Sequence, residues 1–383
     1  MTAVIEQRQV LEEIKQFIAD EIMPLQQAIY HEGGVPRTLI DSMAKRGYLA
    51  ASISEEYGGL GMSPLLYGQF TELFGKACPA TRSLLTVHTS LVSETIAKFG
   101  TSEQKAAWLP KLVSGEWIGA FGLTEPEVGS DAKSVKTSWK EVEDGYILNG
   151  TKKWITYGNL ADVFIIVASC DGRSSTFLVE REQAGVSTKP LTKLMAGTGT
   201  HLAEIQLDQV KIPKHYMIGK KGFGFEYVVS SALDQGRYSV AWAGLAIAQA
   251  ALERMVTYSR KRVQFDQKLS QFQTIRAMIG DAVTNIHAAR ALCEKAAEKR
   301  LIKAGDATME TTIAKYFASK VAVQVTNDAL QVHGANGFHE DYGVERLYRE
   351  AKVLEIIEGS SQMQQEIISH YGLKQYVIRG DSM

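Results

Sequence analysis

Cysteine is scarce. Cys78, Cys170 and Cys293 are the only three in 383 residues, far apart, odd in number and without a CxxC pair. That pattern excludes a disulfide framework and predicts unpaired thiols in a reducing, cytosolic setting. Long apolar runs are missing too: no stretch of eighteen or more apolar residues offers a membrane span. The opening "MTAVIEQRQVLEEIKQFIADEIMPLQQ" carries acids at an amphipathic period, where a signal peptide would have a basic segment and then an apolar one. With 42 Lys and Arg against 43 Asp and Glu, there is no excess charge to attract nucleic acid or an anionic membrane. Several catalytic signatures are absent as well. No HExxH or zinc-spaced Cys/His group occurs, and His333 and His339, six apart around "GANGF", read as structural. "GFGF" at 222–225 lacks the third glycine and the βαβ surroundings of a Rossmann turn, and neither a Walker A loop nor a GxSxG elbow is present.

What remains is an ordinary globular composition, 45% hydrophobic and 22% charged, in a chain long enough for two or three packed units. Its texture changes twice. Up to about residue 118, apolar residues recur at helical spacing (Leu11, Ile14, Phe17, Ile18; Leu39, Met43), with breaks at "EYGGLGMSP" and "KACPATRS". From 119 to 219 the period shortens towards two. "VFIIVAS", "CDGRSS" and "TFLVE" read as strand, turn and strand, "HLAEIQLDQVKIP" alternates, and Asn149-Gly150 within "DGYILNGTKKWITYG" predicts a hairpin turn. From 220 to 383 long amphipathic helices return, the layout of a four-helix bundle. The expected fold is therefore mostly α with a β-module, in three domains: 1–118 helical, 119–219 β, 220–383 helical bundle.

Two segments offer binding chemistry. "FGLTEPEVGSDAKS", 121–134, puts the Thr124 hydroxyl, a proline turn and Gly129-Ser130 at the entry to the β-domain. Such a turn either presents neutral donors to a phosphate or polar ring edge, or is a plain connection. In "KKWITYG", strand alternation would set Trp154 and Thr156 on one face, as a stacking surface with a hydroxyl for a flat heteroaromatic, or as core.

Taken in order, "LTEPEVGSD", "YILNGTKKWIT", "RVQFDQKLSQFQ", "QVHGANGF" and "EIIEGSSQ" resemble the acyl-CoA dehydrogenase family of flavoproteins across nearly the full length. The resemblance implies an N-terminal helical domain, a middle β-barrel domain and a C-terminal four-helix bundle, with FAD as cofactor. Phe121, Leu123, Thr124, Gly129, Ser130, Trp154, Ile155 and Thr156 would embrace the isoalloxazine and pyrophosphate. Arg262, Phe265 and Gln273 match the R-x-x-F pattern and the glutamine that approach FAD from a neighbouring subunit, so a homo-oligomer, dimer or tetramer, is implied. Gln331, Gly334 and Ala335 match the stretch beside the ADP half, and Ser360 and Gln362 match polar positions after the base. Glu358 matches the catalytic base, and a carboxylate among Ile356, Ile357 and an acyl chain would be poorly solvated, which favours the proton-accepting role. Gly359 leaves room for close backbone approach, and Ser361 with Gln364 fits a capping box just beyond. Ser130, Arg237 and Gly359 are implied on the substrate side, although Arg237 reads equally as a structural brace. The alternative base position of some family members is Gly236 here, which accepts no proton.

Three departures stand out: "IEGS" for the usual "YEGT", Asp266 for a glycine after Phe265, and Gly334-Ala335 for a glycine pair. "EIIEGSS", "GRYSVAWAG" and "PATRSLLTVHTSL" look like the polyketide and nonribosomal-peptide branch, which handles short oxygenated units on an acyl carrier protein. The expected activity is α-proton abstraction by Glu358 with hydride transfer to flavin, and electrons passing to an electron-transferring flavoprotein or to oxygen. A short-chain acyl-CoA dehydrogenase, a flavin monooxygenase on the same fold and a non-catalytic carrier-protein docking module are the alternatives.

Overall fold

The computed structural model describes residues 2–377. Among these residues, seven α-helices precede the sheet: α1 (Thr2–Phe17), α2 (Gln26–His31), α3 (Arg37–Lys45), α4 (Pro64–Ala77), α5 (Pro79–Leu84), α6 (Glu94–Phe99), joined to α5 by the π-helical stretch Leu85–Ser93, and α7 (Ser102–Val113). Their limits follow from local chemistry. Ser63 caps α4 by accepting from the Leu66 N–H, with Pro64 at the first helical position where no N–H is missed. Thr101 and Gln104 form a reciprocal capping box at α7. Phe17, Tyr48, Phe70 and Phe74 pack ring to ring at 4.8–6.2 Å as the aromatic core of this region.

Eight strands follow: β1 (Gly119–Gly122), β2 (Ser138–Val142), β3 (Gly145–Ile155), β4 (Val163–Cys170), β5 (Arg173–Glu180), β6 (Val186–Pro190), β7 (Ala203–Pro213) and β8 (Met217–Ile218). They form one sheet in the order β6-β7-β3-β2-β4-β5-β8, with β1 parallel to β4. The expected β4–β5 hairpin is present, turning at Asp171-Gly172, both with positive φ. Asn149-Gly150, by contrast, makes no turn. Both residues lie inside β3, and the hairpin pairs Val142 with Gly145 instead. The reason is a bulge: the register against β7 shifts between Leu148 and Gly150, and Gly150 takes φ 148 where a Cβ would sit 2.6 Å from the Thr137 Cα. Asn149 Oδ1 accepts from the backbone and side chain of Gln209 across the strands.

The chain divides into two compact units, Met1–Ser239 and Val240–Met383, within the long α8 (Ser230–Lys261). The second unit holds the rest of α8, a short hairpin of β9 (Val263–Gln264) and β10 (Gln267–Lys268), then α9 (Gln273–Leu301), α10 (Ala307–His333), α11 (Val344–Leu354) and α12 (Ser361–Gln375). α10 packs on α9, α11 and α12. α8 comes so close that a Cβ on Gly244 would lie 2.6 Å from the Ala318 carbonyl oxygen. α11 is an addition to the four helices expected from the sequence. No helix among the described residues is long and apolar enough to cross a membrane.

Candidate functional site

In the first unit, Phe121 is a buried residue of β1, and Leu123 and Thr124 lead out of that strand. Glu125 and Val128 then close a tight turn through reciprocal backbone hydrogen bonds of 3.0 and 3.3 Å. Gly129 and Ser130 follow, exposed, and a Cβ on Gly129 would meet nothing within 4 Å. Packing within the chain therefore leaves open space over this glycine.

Trp154 departs from the alternation predicted for it. β3 shifts register again between Lys152 and Ile155, Trp154 takes φ 63, and the strand ends at Ile155, with Thr156 in the turn beyond. Strand alternation therefore does not place Trp154 and Thr156 on a common face. The indole is 51% exposed, which removes the reading of a core tryptophan. A left-handed conformation is costly for a bulky residue, by about 1–3 kcal/mol, and persists where the surroundings over-determine it.

Those surroundings include a pair that the sequence reading missed. Lys152 is 0% exposed and Glu125 4%, with Lys152 Nζ 2.7 Å from Glu125 Oε1 and 3.0 Å from the Leu123 carbonyl. Glu125 also accepts from the Lys136 and Thr137 N–H groups at 2.5 and 2.8 Å, and the Lys153 N–H donates to the Thr124 carbonyl at 2.9 Å. Burial pulls the Lys152 ammonium down to about 8, partly offset by Glu125. Burial pushes the Glu125 carboxyl up, but the Lys152 hydrogen bond and charge outweigh it and hold it below the ordinary carboxylate value. The 123–125 turn is thus tied to the two residues before Trp154. One signal was in the sequence: Lys152 stands four residues after Leu148, on the inward face, and a buried lysine needs a carboxylate.

In the second unit, Arg262 and Gln273 flank the β9–β10 hairpin and are exposed. Phe265 and Asp266 are its two turn residues, both left-handed at φ 50 and 58, and Phe265 is 88% exposed. Asp266 stands where the family pattern has glycine because aspartate tolerates this conformation better than most residues. Gln331, Gly334 and Ala335 are exposed at the C-terminal end of α10, which Gly334 stops with φ 59. Tyr258 links the two groups. Its ring stacks on His333 at 4.2 Å, its hydroxyl accepts from Asn336 at 2.8 Å, and its carbonyl accepts from the Arg262 N–H at 2.9 Å.

Glu358 sits elsewhere in this unit. The 355–358 turn follows α11, and Glu358 (φ 55) and Gly359 (φ 90) are successive left-handed residues before α12. Glu358 Oε2 is buried. Three details differ from expectation. Ile356 is exposed, so it builds no wall around the carboxylate within this chain. Ser360, not Ser361, caps α12, accepting from the Met363 N–H at 3.4 Å. Gln364 forms no capping box, because its amide donates to the Glu358 and Gly359 carbonyls, both at 3.0 Å. Lys315 Nζ also donates to the Gly359 carbonyl, at 2.7 Å. Since Lys315 and Gln331 are sixteen residues apart on α10, the Glu358 turn is anchored about 24 Å along that helix from the Gln331–Ala335 corner. One unit thus carries two separate groups of candidate residues. Gln362 is exposed in the first turn of α12, whereas Arg237, half-buried on α8 beside buried Gly236, belongs to the first unit.

The donor set of the first unit suits a flat, polar-edged aromatic bearing phosphates: an exposed indole, hydroxyls at Thr124, Thr156 and Ser130, and open space over Gly129. Among the described residues no group of three or more His, Cys, Asp or Glu is arranged to hold a metal ion.

Comparison with known proteins agrees with this chemistry. Residues 5–116, 120–210 and 222–372 match the acyl-CoA dehydrogenase N-terminal, middle and C-terminal domains in turn. The short-chain specific acyl-CoA dehydrogenase of Clostridium acetobutylicum is 36% identical, covering 95% of this chain and 97% of that one. The butyryl-CoA dehydrogenase structure from Megasphaera elsdenii superposes with a TM-score of 0.91 at 35% identity, over 96% and 98% of the two chains. A structure described as FkbI for biosynthesis of the methoxymalonyl extender unit of a polyketide superposes with 0.86 at 29% identity, over 95% and 99%. The chain belongs to the acyl-CoA dehydrogenase family, FAD-dependent oxidoreductases that act on CH–CH groups.

Proposed function

We propose that the protein dehydrogenates a short acyl thioester, with Glu358 as the base that removes the α-proton. The observation that carries this reading is the Glu358 turn, a strained carboxylate with a buried oxygen directly ahead of a capped helix. Shielded from water, such an oxygen serves as base to a carbon acid. The Glu358 N–H, beside the start of α12, would polarise the thioester carbonyl as negative charge develops on its oxygen. FAD, when bound, supplies the acceptor for the hydride that leaves the adjacent carbon.

Phe121, Leu123, Thr124, Gly129, Ser130, Trp154, Ile155 and Thr156 would hold the flavin and pyrophosphate, and Ser360 and Gln362 would be cofactor contacts as well. Arg262, Phe265, Gln273, Gln331, Gly334 and Ala335 would serve the FAD of a second copy in a homo-oligomer. The 24 Å along α10 and the exposed Phe265 ring support that assignment. Ser130, Arg237 and Gly359 would contact substrate, and the working segments would be 1–118, 119–219 and 220–383. An electron-transferring flavoprotein is the proposed acceptor, supported by 34% identity, over 90% of this chain and 92% of that one, to subunit CarC of the caffeyl-CoA reductase-Etf complex of Acetobacterium woodii.

Similarity to short-chain enzymes supports a small acyl group on coenzyme A. A carrier-protein tether is the second reading, favoured by the full-length likeness to FkbI and to a prolyl acyl carrier protein oxidase, AnaB, at TM-score 0.89 and 26% identity. Flavin bleaching under a panel of short acyl-CoA and acyl-carrier-protein thioesters separates them: butyryl-CoA alone bleaching efficiently supports the first. Glu358→Gln should keep FAD and fold while slowing thioester-dependent bleaching by about 10²–10⁴-fold. A mutant at the wild-type rate would sink the proposal.

A further inference from the structure

Glu358 and Gly359 are two successive left-handed residues, and only the second is a glycine. A glutamate adopts this conformation at a cost, and the turn is held only as firmly as its neighbours hold it. Backbone in a short turn satisfies its carbonyls with water or with other backbone groups. Here both carbonyls of the left-handed pair are taken by side chains from packed helices. Lys315, on α10, and Gln364, on α12, are both fully buried. The Lys315 ammonium donates to the Gly359 carbonyl at 2.7 Å, and the Gln364 amide donates at 3.0 Å to the carbonyls of Glu358 and Gly359.

The orientation of the Gln364 amide is forced. Two carbonyl oxygens at 3.0 Å can only accept, so the nitrogen must face them. As a result Gln364 Oε1 is buried with no hydrogen-bond partner among the described residues. A side chain that only filled space between helices would not leave a polar atom unsatisfied. Burying a lysine on an interior helix face likewise costs stability unless a specific acceptor requires it.

We propose that Lys315 and Gln364 are positioning residues for the base: they clamp the Glu358–Gly359 carbonyls, and so set the direction in which the Glu358 carboxylate and its own N–H face the substrate. This rests on the assignment of Glu358 as the base and deepens it. Neither residue touches the reacting atoms; both act through the turn.

Gln364→Met and Lys315→Met, with Lys315→Arg as the conservative variant, test the clamp alongside Glu358→Gln. Three quantities are read on the FAD-loaded protein: thioester-dependent flavin reduction, its pH profile, and amide hydrogen exchange at 355–360. Gln364→Met should keep FAD content and lower kcat by about 100-fold with KM little changed, as expected for a misplaced catalytic group. It should also raise exchange selectively at 355–360 and shift the acid limb of the pH profile. Lys315→Arg should recover much of the Lys315→Met loss, because a guanidinium still donates. A purely structural role would instead raise exchange along α10 and α12 together, and that outcome, or a wild-type kcat and pH profile in Gln364→Met, overturns the inference. If Lys315→Met does not fold, Gln364→Met decides. If Glu358→Gln stays active, the base assignment fails; if it is inactive while Gln364→Met is normal, only the clamp fails.

Discussion

The turn at Trp154 and the turn at Glu358 present the same physical problem in two different materials. Each holds a non-glycine residue at φ near 60 and relies on a buried lysine nearby, Lys152 in the sheet and Lys315 in the helices. In the sheet, the left-handed residue is a bulge in β3, and Lys152 is bound to a buried carboxylate, Glu125, as well as to a carbonyl. In the helical unit, Lys315 and Gln364 take the turn carbonyls directly. The difference follows from what the backbone leaves unpaired. A bulge disrupts the ladder over one residue, so the sheet needs a tie between neighbouring segments. The turn between α11 and α12 leaves the Glu358 and Gly359 carbonyls outside either helix and is followed by unpaired amides at the start of α12, so donors on packed helices serve the carbonyls and Ser360 the amides.

Replacing Lys152 should give the largest effect and break the comparison most directly. Lys152→Met leaves Glu125 buried without its cation, and we expect a loss of about 3–5 kcal/mol in chemical denaturation of the first unit, with weaker FAD retention. A loss under about 1 kcal/mol would mean that the pair does not hold the Trp154 turn.

Acid should act next, on the entry to the same turn. His88 is fully buried, with Nε2 3.0 Å from the Leu112 carbonyl and Nδ1 accepting from the Gly119 N–H at the start of β1. Protonation would set one donor against another, and burial pulls its pKa from 6.5 to about 4. Between these values the unfolded chain binds a proton that the folded chain refuses. Stability therefore falls as pH drops from 6.5 towards 4, at up to about 1.4 kcal/mol per pH unit, and levels off below. His88→Gln should flatten this slope in denaturation curves measured between pH 7 and 4; an unchanged slope would assign the acid sensitivity elsewhere. The smallest effect belongs to the helical turn. Ser360→Ala removes the α12 cap and should cost about 1 kcal/mol, read as a lower melting temperature.

Much of this was legible in the residues. The change from helical to β period and back marked a β region between helical ones, the Asp171-Gly172 turn lay where its composition put it, and Glu358, the proposed base, drew notice as an acid between aliphatic residues and a glycine. The failures share one cause. Asn149-Gly150, Trp154 and the Ser361 cap were read from local preference, and in each case a neighbouring strand or helix decided otherwise. Asn149 spends its side chain on Gln209, Trp154 is turned out by a bulge against β7, and Gln364 serves carbonyls rather than a cap. Glu125 and Lys152 lie 27 residues apart in sequence, a separation at which local pattern carries no pairing information.

By itself the sequence determined which stretches are helix or strand and which residue types were available for chemistry, because hydrophobic period and turn composition act over a few residues. Tertiary structure alone decided which backbone carbonyls Lys152, Lys315 and Gln364 would meet and which residues would be forced left-handed. Those outcomes depend on close packing between segments distant in the chain, where a shift of one residue in register changes every partner.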